Sequence, residues 1–398
     1  MIRMQKNRRF GGAADIAPFA RAEADRVRRV HAGMPGYRPT PLAAWDGYAG
    51  EKGIAGLFIK DESPRFGLNA FKGLGGSYAI FRMLCRRLGL DPETTTPETL
   101  RRDHGPELAG LTFVTTTDGN HGRGVSWAAA YYGCASYVFM PKGSVEARAQ
   151  AIRDAGNAVV TITDLAYDPC VEYTAALAEE KGWLLVQDTA WEGYEEPPLW
   201  IMMGYTTMVY EAAEQLAALG ICRPTHIFLQ AGVGAMAGAV TAAAANLWGD
   251  PLPVIAIAEP EEAACIYESV RRNDGAPHPA EGSGVTVMAG LNCAVPCTIG
   301  WEILRTYAAS AFACDDGVAE AGMARLARPV GEDRPVVSGE SGAVTMGLLD
   351  RLLTDPALAA EKAALGLSAD SVVLLFSTEG DTDPDNYRRV TEGPQTPA

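Results

Sequence analysis

Lys72 stands in the stretch Arg65-Phe66-Gly67-Leu68-Asn69-Ala70-Phe71-Lys72-Gly73-Leu74-Gly75-Gly76, among four glycines and two phenylalanines, where a loop enters a helix. A partly apolar pocket favours the free amine, which suits Schiff-base chemistry with a carbonyl. A lysine at a helix start is also what a solvated surface residue looks like. A second polar cluster is Thr115-Thr116-Thr117-Asp118-Gly119-Asn120-His121-Gly122-Arg123-Gly124. It lies between a strand and a helix, so backbone N–H groups at the helix start are open to an anion; an aspartate cap with a glycine turn would leave the same pattern. A third is Ala231-Gly232-Val233-Gly234-Ala235-Met236-Ala237-Gly238, after an apolar strand. Its small residues let a phosphate approach the N–H groups and the helix dipole, or let a helix and a strand pack closely. The spacing is G-x-G-x-x-x-G, not the dinucleotide pattern, and Glu259 lies too far on to be a ribose acid. The fourth, Ser377-Thr378-Glu379-Gly380-Asp381-Thr382-Asp383, follows the last strand. Ligands sit at the carboxyl ends of strands in α/β sheets; a capped polar turn is the alternative there.

Strands alternating with helices must position these loops. The pattern predicts strands over 56–60, 112–115, 135–140, 158–162, 184–187, 226–230, 254–258 and 372–376. Helices are expected over 74–88, 123–132, 144–155, 172–181 and 200–218, and residues 12–35 read as helix-like. Gly36-Tyr37-Arg38-Pro39-Thr40-Pro41-Leu42 breaks the first helix. Strand–helix alternation of this kind implies parallel sheets and an α/β fold of two lobes, each a mostly parallel twisted sheet flanked by helices. The tail after about Asn386 is expected to fray.

The 398 residues suit two packed lobes. Hydrophobic residues at 47 % and charged residues at 21 % are ordinary for a globular protein. The 43 glycines point to tight turns around a ligand. With 34 basic against 49 acidic residues, the net charge of −15 argues against nucleic acid and anionic membrane as partners. No run approaches about 18 apolar residues, so no membrane span is expected. No apolar signal core follows the N-terminal basic residues. None of the eight cysteines forms Cys-x-x-Cys and no zinc-finger spacing is present, so no metal site is expected. Most cysteines read as small buried hydrophobes in a reduced, cytoplasmic protein.

Together, in this order, the four motifs resemble those of the fold-type II pyridoxal-phosphate (PLP) enzymes, the group of threonine dehydratase and the tryptophan synthase β-subunit. The chain is more similar still to the diaminopropionate ammonia-lyase family. That resemblance runs from Tyr37 to Asp383 and is most specific at 65–72, 115–124, 187–194, 230–238, 288–293, 338–343 and 377–383. It implies a large PLP-binding domain over 1–90 and 195–398, with a small domain over 91–194 inserted in it.

By the same resemblance, Lys72, preceded by Phe71, would carry PLP as a Schiff base, and Asn120 would meet its phenolic oxygen. Gly232, Val233, Gly234, Ala235 and Met236 would hold the phosphate. Ser377 would face the pyridine nitrogen, with Thr378 or Thr382 as alternatives. Most dehydratases of the group have Ser where this chain has Asp118; the resembled family has Asp. A carboxylate there suits a substrate with a β-ammonium group, or a base on the face opposite Lys72. Asp188 matches a second acidic position near the substrate. The implied reaction is elimination of 2,3-diaminopropionate, L and also D, to pyruvate and two ammonia; a serine or threonine dehydratase is the alternative. A homodimer is implied, and Cys265 and Cys293 match cysteine positions of the family, as a labile loop clamp or as two thiols.

Overall fold

The computed structural model describes residues 1–8, 14–117 and 119–393. Two sheets organise them. The larger has the order β1-β10-β9-β8-β11-β3-β2, built from β1 (Ile2–Lys6), β2 (Leu42–Ala44), β3 (Gly56–Asp61), β8 (His226–Gln230), β9 (Val254–Pro260), β10 (Ser310–Cys314) and β11 (Val372–Ser377). Its five inner strands are parallel, and β1 and β2 close the two edges antiparallel. Every residue of β8 is buried, as expected of a parallel strand covered on both faces.

The smaller sheet, in the order β6-β5-β4-β7, is wholly parallel. It contains β4 (Thr112–Thr116), β5 (Ala135–Met140), β6 (Val159–Ile162) and β7 (Leu184–Leu185). Alternate β5 side chains point to opposite faces. Val138 and Met140 join a core with Ala149 and Ile152, and Phe139 joins another with Val114, Cys170 and Ala178.

The chain divides into two compact units, one of Met1–Ala20, Pro39–Pro64 and Met208–Ala398, the other of Arg21–Arg38 and Arg65–Thr207. The smaller sheet falls inside the span 91–194 expected for a small domain. Its unit is larger, because the helix Gly73–Leu88 packs on the helix Asn120–Tyr131 at a glycine contact. A Cβ on Gly76 would lie 3.2 Å from the carbonyl carbon of Gly124.

The structure corrects three expectations of detail. The helix expected over 12–35 is Arg21–Ala32, behind a short turn at Ala17–Phe19; positions 12 and 13 lie outside the described residues. The strand at 184–187 stops at Leu185, because Gln187 turns its amide into hydrogen bonds with β4. The tail forms the helix Pro384–Glu392, in which Tyr387 and Val390 pack on the core of the larger unit; only 394–398 lie outside the described residues.

Candidate active site

The second unit holds the lysine. Lys72 immediately precedes the helix Gly73–Leu88, as the sequence predicted. The loop before it is tightly bent: Phe66 and Asn69 have φ of 53° and 55°, a left-handed region that costs non-glycine residues about 1 kcal/mol or more. Packing holds them there. The Phe66 ring stacks on Trp127 at 4.6 Å, and the Arg123 guanidinium donates to the Leu68 carbonyl at 2.7 Å. From the other side Gly124 lies against the lysine's own backbone: a Cβ there would come within 3.0 Å of Lys72 C, Lys72 O and Gly73 N. Gly124→Ala is therefore expected to push Lys72 out of place. A shift of about 1 Å in a reacting group costs up to about a hundredfold in rate, and overpacking costs about 1–3 kcal/mol. Steady-state kinetics beside a melting curve measure both.

The Lys72 ammonium pairs with Asp188 and lies 5.5 Å from the centroid of the Phe71 ring. The pocket expected to be partly apolar thus contains a carboxylate. Asp188 is only 7 % exposed. Burial works against its charge, but His121 and Lys72 beside it outweigh burial and hold the carboxyl down at about 2. His121 is buried too, and burial holds its imidazole below the usual value despite Asp188. Its Nε2 lies 2.8 Å from the Val186 carbonyl, so Nε2–H donates there. Its buried Nδ1, with no hydrogen-bond partner among the described residues, lies 3.8 Å from Asp188.

Two further side chains fix the turn that carries Asp188. The Tyr194 hydroxyl accepts from Gln187 N and donates to Leu185 O, both at 2.9 Å. Gln187 Oε1 accepts from Thr116 N at 3.0 Å and Thr115 Oγ1 at 3.2 Å. The sequence marks the segment 187–194 as specific without assigning these two residues a role. A buried-type glutamine and a tyrosine flanking an aspartate are the signal for one.

Because the native carboxyl of Asp188 titrates below its unfolded value of 3.8, its contribution to stability is full above about pH 4. That contribution, about 2 kcal/mol, is lost as pH falls from 3.8 through 2. Cofactor-free Asp188→Asn should lack that part of the acid dependence, read by denaturant unfolding at pH 5, 4 and 3.

Asn120 opens its helix half-buried. Asp118 lies outside the described residues. Beside it, the buried Thr117 hydroxyl accepts the N–H groups of Gly119 at 3.0 Å and Gly122 at 3.2 Å.

The first unit holds the other expected residues. The chain leaves β8 at Gln230, turns through residues 231–234 with Gly234 at φ 87°, and enters the helix Ala235–Trp248. Gly232 and Val233 are partly exposed, while Ala235 and Met236 are buried. The first-turn N–H groups of a helix have no carbonyl partner within it, which is what an anion needs. Glu259, too far along the chain to be a ribose acid, accepts from Ile266 N at 2.8 Å and Tyr267 N at 2.7 Å.

At the end of β11 the three alternative hydroxyls have different surroundings. Thr378 Oγ1 accepts from Gln230 Nε2 at 2.7 Å, and Thr382 lies 3.4 Å from Glu379. Ser377 Oγ is buried with no partner among the described residues. A buried hydroxyl left without a bond is costly, so a ring nitrogen fits its need. Among the described residues no cluster of His, Cys, Asp and Glu could hold a metal, and no helix is long and apolar enough to cross a membrane.

Residues 34–377 match the family model of pyridoxal-phosphate dependent enzymes. The chain is 46 % identical over 390 residues to the diaminopropionate ammonia-lyase of Escherichia coli (strain K12), covering 98 % of this chain and 96 % of that protein. It is 44 % identical to the diaminopropionate ammonia-lyase of Salmonella typhimurium (strain LT2), covering 97 % and 96 %. The crystal structure of the holo Escherichia coli enzyme superposes with a TM-score of 0.90 at 44 % identity, over 98 % of this chain and 96 % of that one.

Proposed function

Because the chain belongs to the pyridoxal-phosphate dependent enzyme family and, within it, to the diaminopropionate ammonia-lyases, we propose that Lys72 carries PLP here for elimination of 2,3-diaminopropionate to pyruvate and two ammonia. The observation that carries this reading is the pinned Lys72 loop, with a buried ionised Asp188 against the amine.

Bound there, PLP supplies the electron sink that lets the α-proton and then the β-substituent leave. The chain's own residues supply placement and charge. Phe71 flanks the lysine, and Asn120 would meet the phenolic oxygen. Gly232, Val233, Gly234, Ala235 and Met236 would present N–H groups to the phosphate. Ser377 would meet the ring nitrogen, while Thr378, engaged by Gln230, would shape the turn beside it. A hydroxyl at that nitrogen does not hold it protonated, which favours elimination over transamination.

The Lys72 amine would take the α-proton of the L isomer. Asp118 takes it from the D isomer on the opposite face. Asp188, ionised and buried, attracts the β-ammonium group and serves, with His121, to keep negative charge at that place until ammonia departs.

A serine or threonine dehydratase shares the fold and differs in the leaving group. Two carboxylates complement a diamino acid better than a hydroxy amino acid, so the diamino reading is preferred. Pyruvate release from D- and L-diaminopropionate, D- and L-serine and L-threonine tests it; faster turnover of L-serine or L-threonine than of either diaminopropionate isomer would reverse the preference. The assembly is read as a cytoplasmic homodimer, supported by the family resemblance. Sedimentation equilibrium giving the mass of one chain would remove the dimer.

A further inference from the structure

The turn expected to take the phosphate is held from behind by residues that no cofactor contact explains. The carbonyl of Gly232 accepts from the Cys265 thiol at 3.4 Å. The carbonyl of Val233 accepts from Cys297 N at 2.7 Å. A trans peptide is planar, with its C=O and the following N–H pointing oppositely. Holding the Gly232 carbonyl toward Cys265 therefore aims Val233 N–H to the other side, and holding the Val233 carbonyl toward Cys297 does the same for Gly234 N–H.

We propose that Cys265 is a positioning residue of the phosphate loop, its thiol fixing the Gly232–Val233 peptide so that Val233 N–H faces the cofactor phosphate. The inference rests on the reading of residues 232–236 as the phosphate site. Cys265 is itself well anchored. It begins the helix Cys265–Arg272 and is 0 % exposed. Glu259 binds the N–H groups of Ile266 and Tyr267 one and two residues later, and the Ser269 hydroxyl donates to the Cys265 carbonyl at 2.7 Å. Burial, reinforced by Glu259, pushes the thiol well above its ordinary value, so it stays protonated and able to donate. Glu259 and Cys293 also lie beside the thiol, and each Glu259 carboxyl oxygen takes a backbone N–H as well. Ile266, the next residue, packs on the same turn, its Cδ1 3.0 Å from where a Gly234 Cβ would stand. The thiol contact to the Gly232 carbonyl is made by a side chain, whereas the Cys297 contact to the Val233 carbonyl is backbone and survives substitution.

Removing one neutral hydrogen bond costs a factor of about three to ten in affinity. The full-length protein is stripped of PLP and titrated with PLP, with pyridoxal, and with inorganic phosphate as a competitor of PLP, for wild type, Cys265→Ala and Cys265→Ser. Cys265→Ala should bind PLP and phosphate about three- to tenfold more weakly, with pyridoxal affinity unchanged, because pyridoxal lacks the group the loop holds. Cys265→Ser keeps a donor and should recover most of the loss. Equal PLP and phosphate affinity in wild type and Cys265→Ala would overturn the proposal, as would an equal loss for pyridoxal, which marks general damage to the fold. If Cys265→Ala does not fold, Cys265→Ser decides: phosphate affinity within about twofold of wild type supports the thiol as donor, and an equal loss for pyridoxal and PLP overturns it. Failure of phosphate to compete with PLP in wild type would instead remove the reading of the loop beneath it.

Discussion

Lys72→Ala is expected to abolish the visible absorption of the purified protein and to reduce turnover by more than about a thousandfold, both together. The lysine would have two tasks, to hold the cofactor covalently and to take the α-proton of the L isomer, and alanine can do neither. The substitution also leaves Asp188 buried without its cation. An uncompensated buried charge is unfavourable, so the carboxyl of the variant should take up a proton at higher pH than in the wild type. Absorption spectra and pyruvate release from the same preparation check the first two expectations. Full turnover in the variant would transfer the assignment to another lysine. Lys60, which is buried, is a poor successor: its ammonium is held by the Thr40 carbonyl at 2.7 Å and by Glu211 and Gln215 at 2.9 Å each.

Asp118→Asn is expected to divide the two isomers. If Asp118 is the base for the D isomer, D turnover should fall about a thousandfold, while L turnover falls less than about tenfold, because Lys72 still serves the other face. If Asp118 only holds the β-ammonium group, both isomers lose alike, mostly in KM when the contact is equal in ground and transition states. A helix-capping role would show as about 1 kcal/mol of stability with little kinetic change. The Thr117 hydroxyl already takes two N–H groups at that turn, which makes the capping outcome the least expected. The kcat and KM for both isomers, with a melting temperature, separate the three. Unchanged kinetics would remove the main reason for preferring a diamino acid to serine or threonine.

Legibility in the sequence followed local order. The Lys72 loop, the turn after β8 and the strands His226–Gln230 and Ala135–Met140 lie where the pattern placed them. Each is set by neighbours in the chain: an apolar run, small residues at a turn, then helical periodicity. The edge strands Ile2–Lys6 and Leu42–Ala44 and the buried strand Ser310–Cys314 went unread. The first two are short and only partly buried, so they carry little alternation. The third reads Ser-Ala-Phe-Ala-Cys, in which alanine does not tell strand from helix. The C-terminal helix was missed because its stability comes from Tyr387 and Val390 packing on distant residues, not from propensity.

The sequence by itself determined the α/β class, the strand–loop–helix units and the place of Lys72 where a loop enters a helix, because those depend on contacts a few residues apart. Tertiary structure alone decided what surrounds that lysine. It brings Asp188 to Lys72 across 116 positions of chain and His121 to Asp188 across 67. It sets Gly124 beneath the lysine's peptide, leaves the buried Ser377 hydroxyl without a hydrogen-bond partner among the described residues, and puts the Cys265 thiol behind Gly232. Such pairs share no period and no turn. Their approach follows from the order of strands in each sheet and the packing of helices upon it, and so becomes readable only once the sheets are formed.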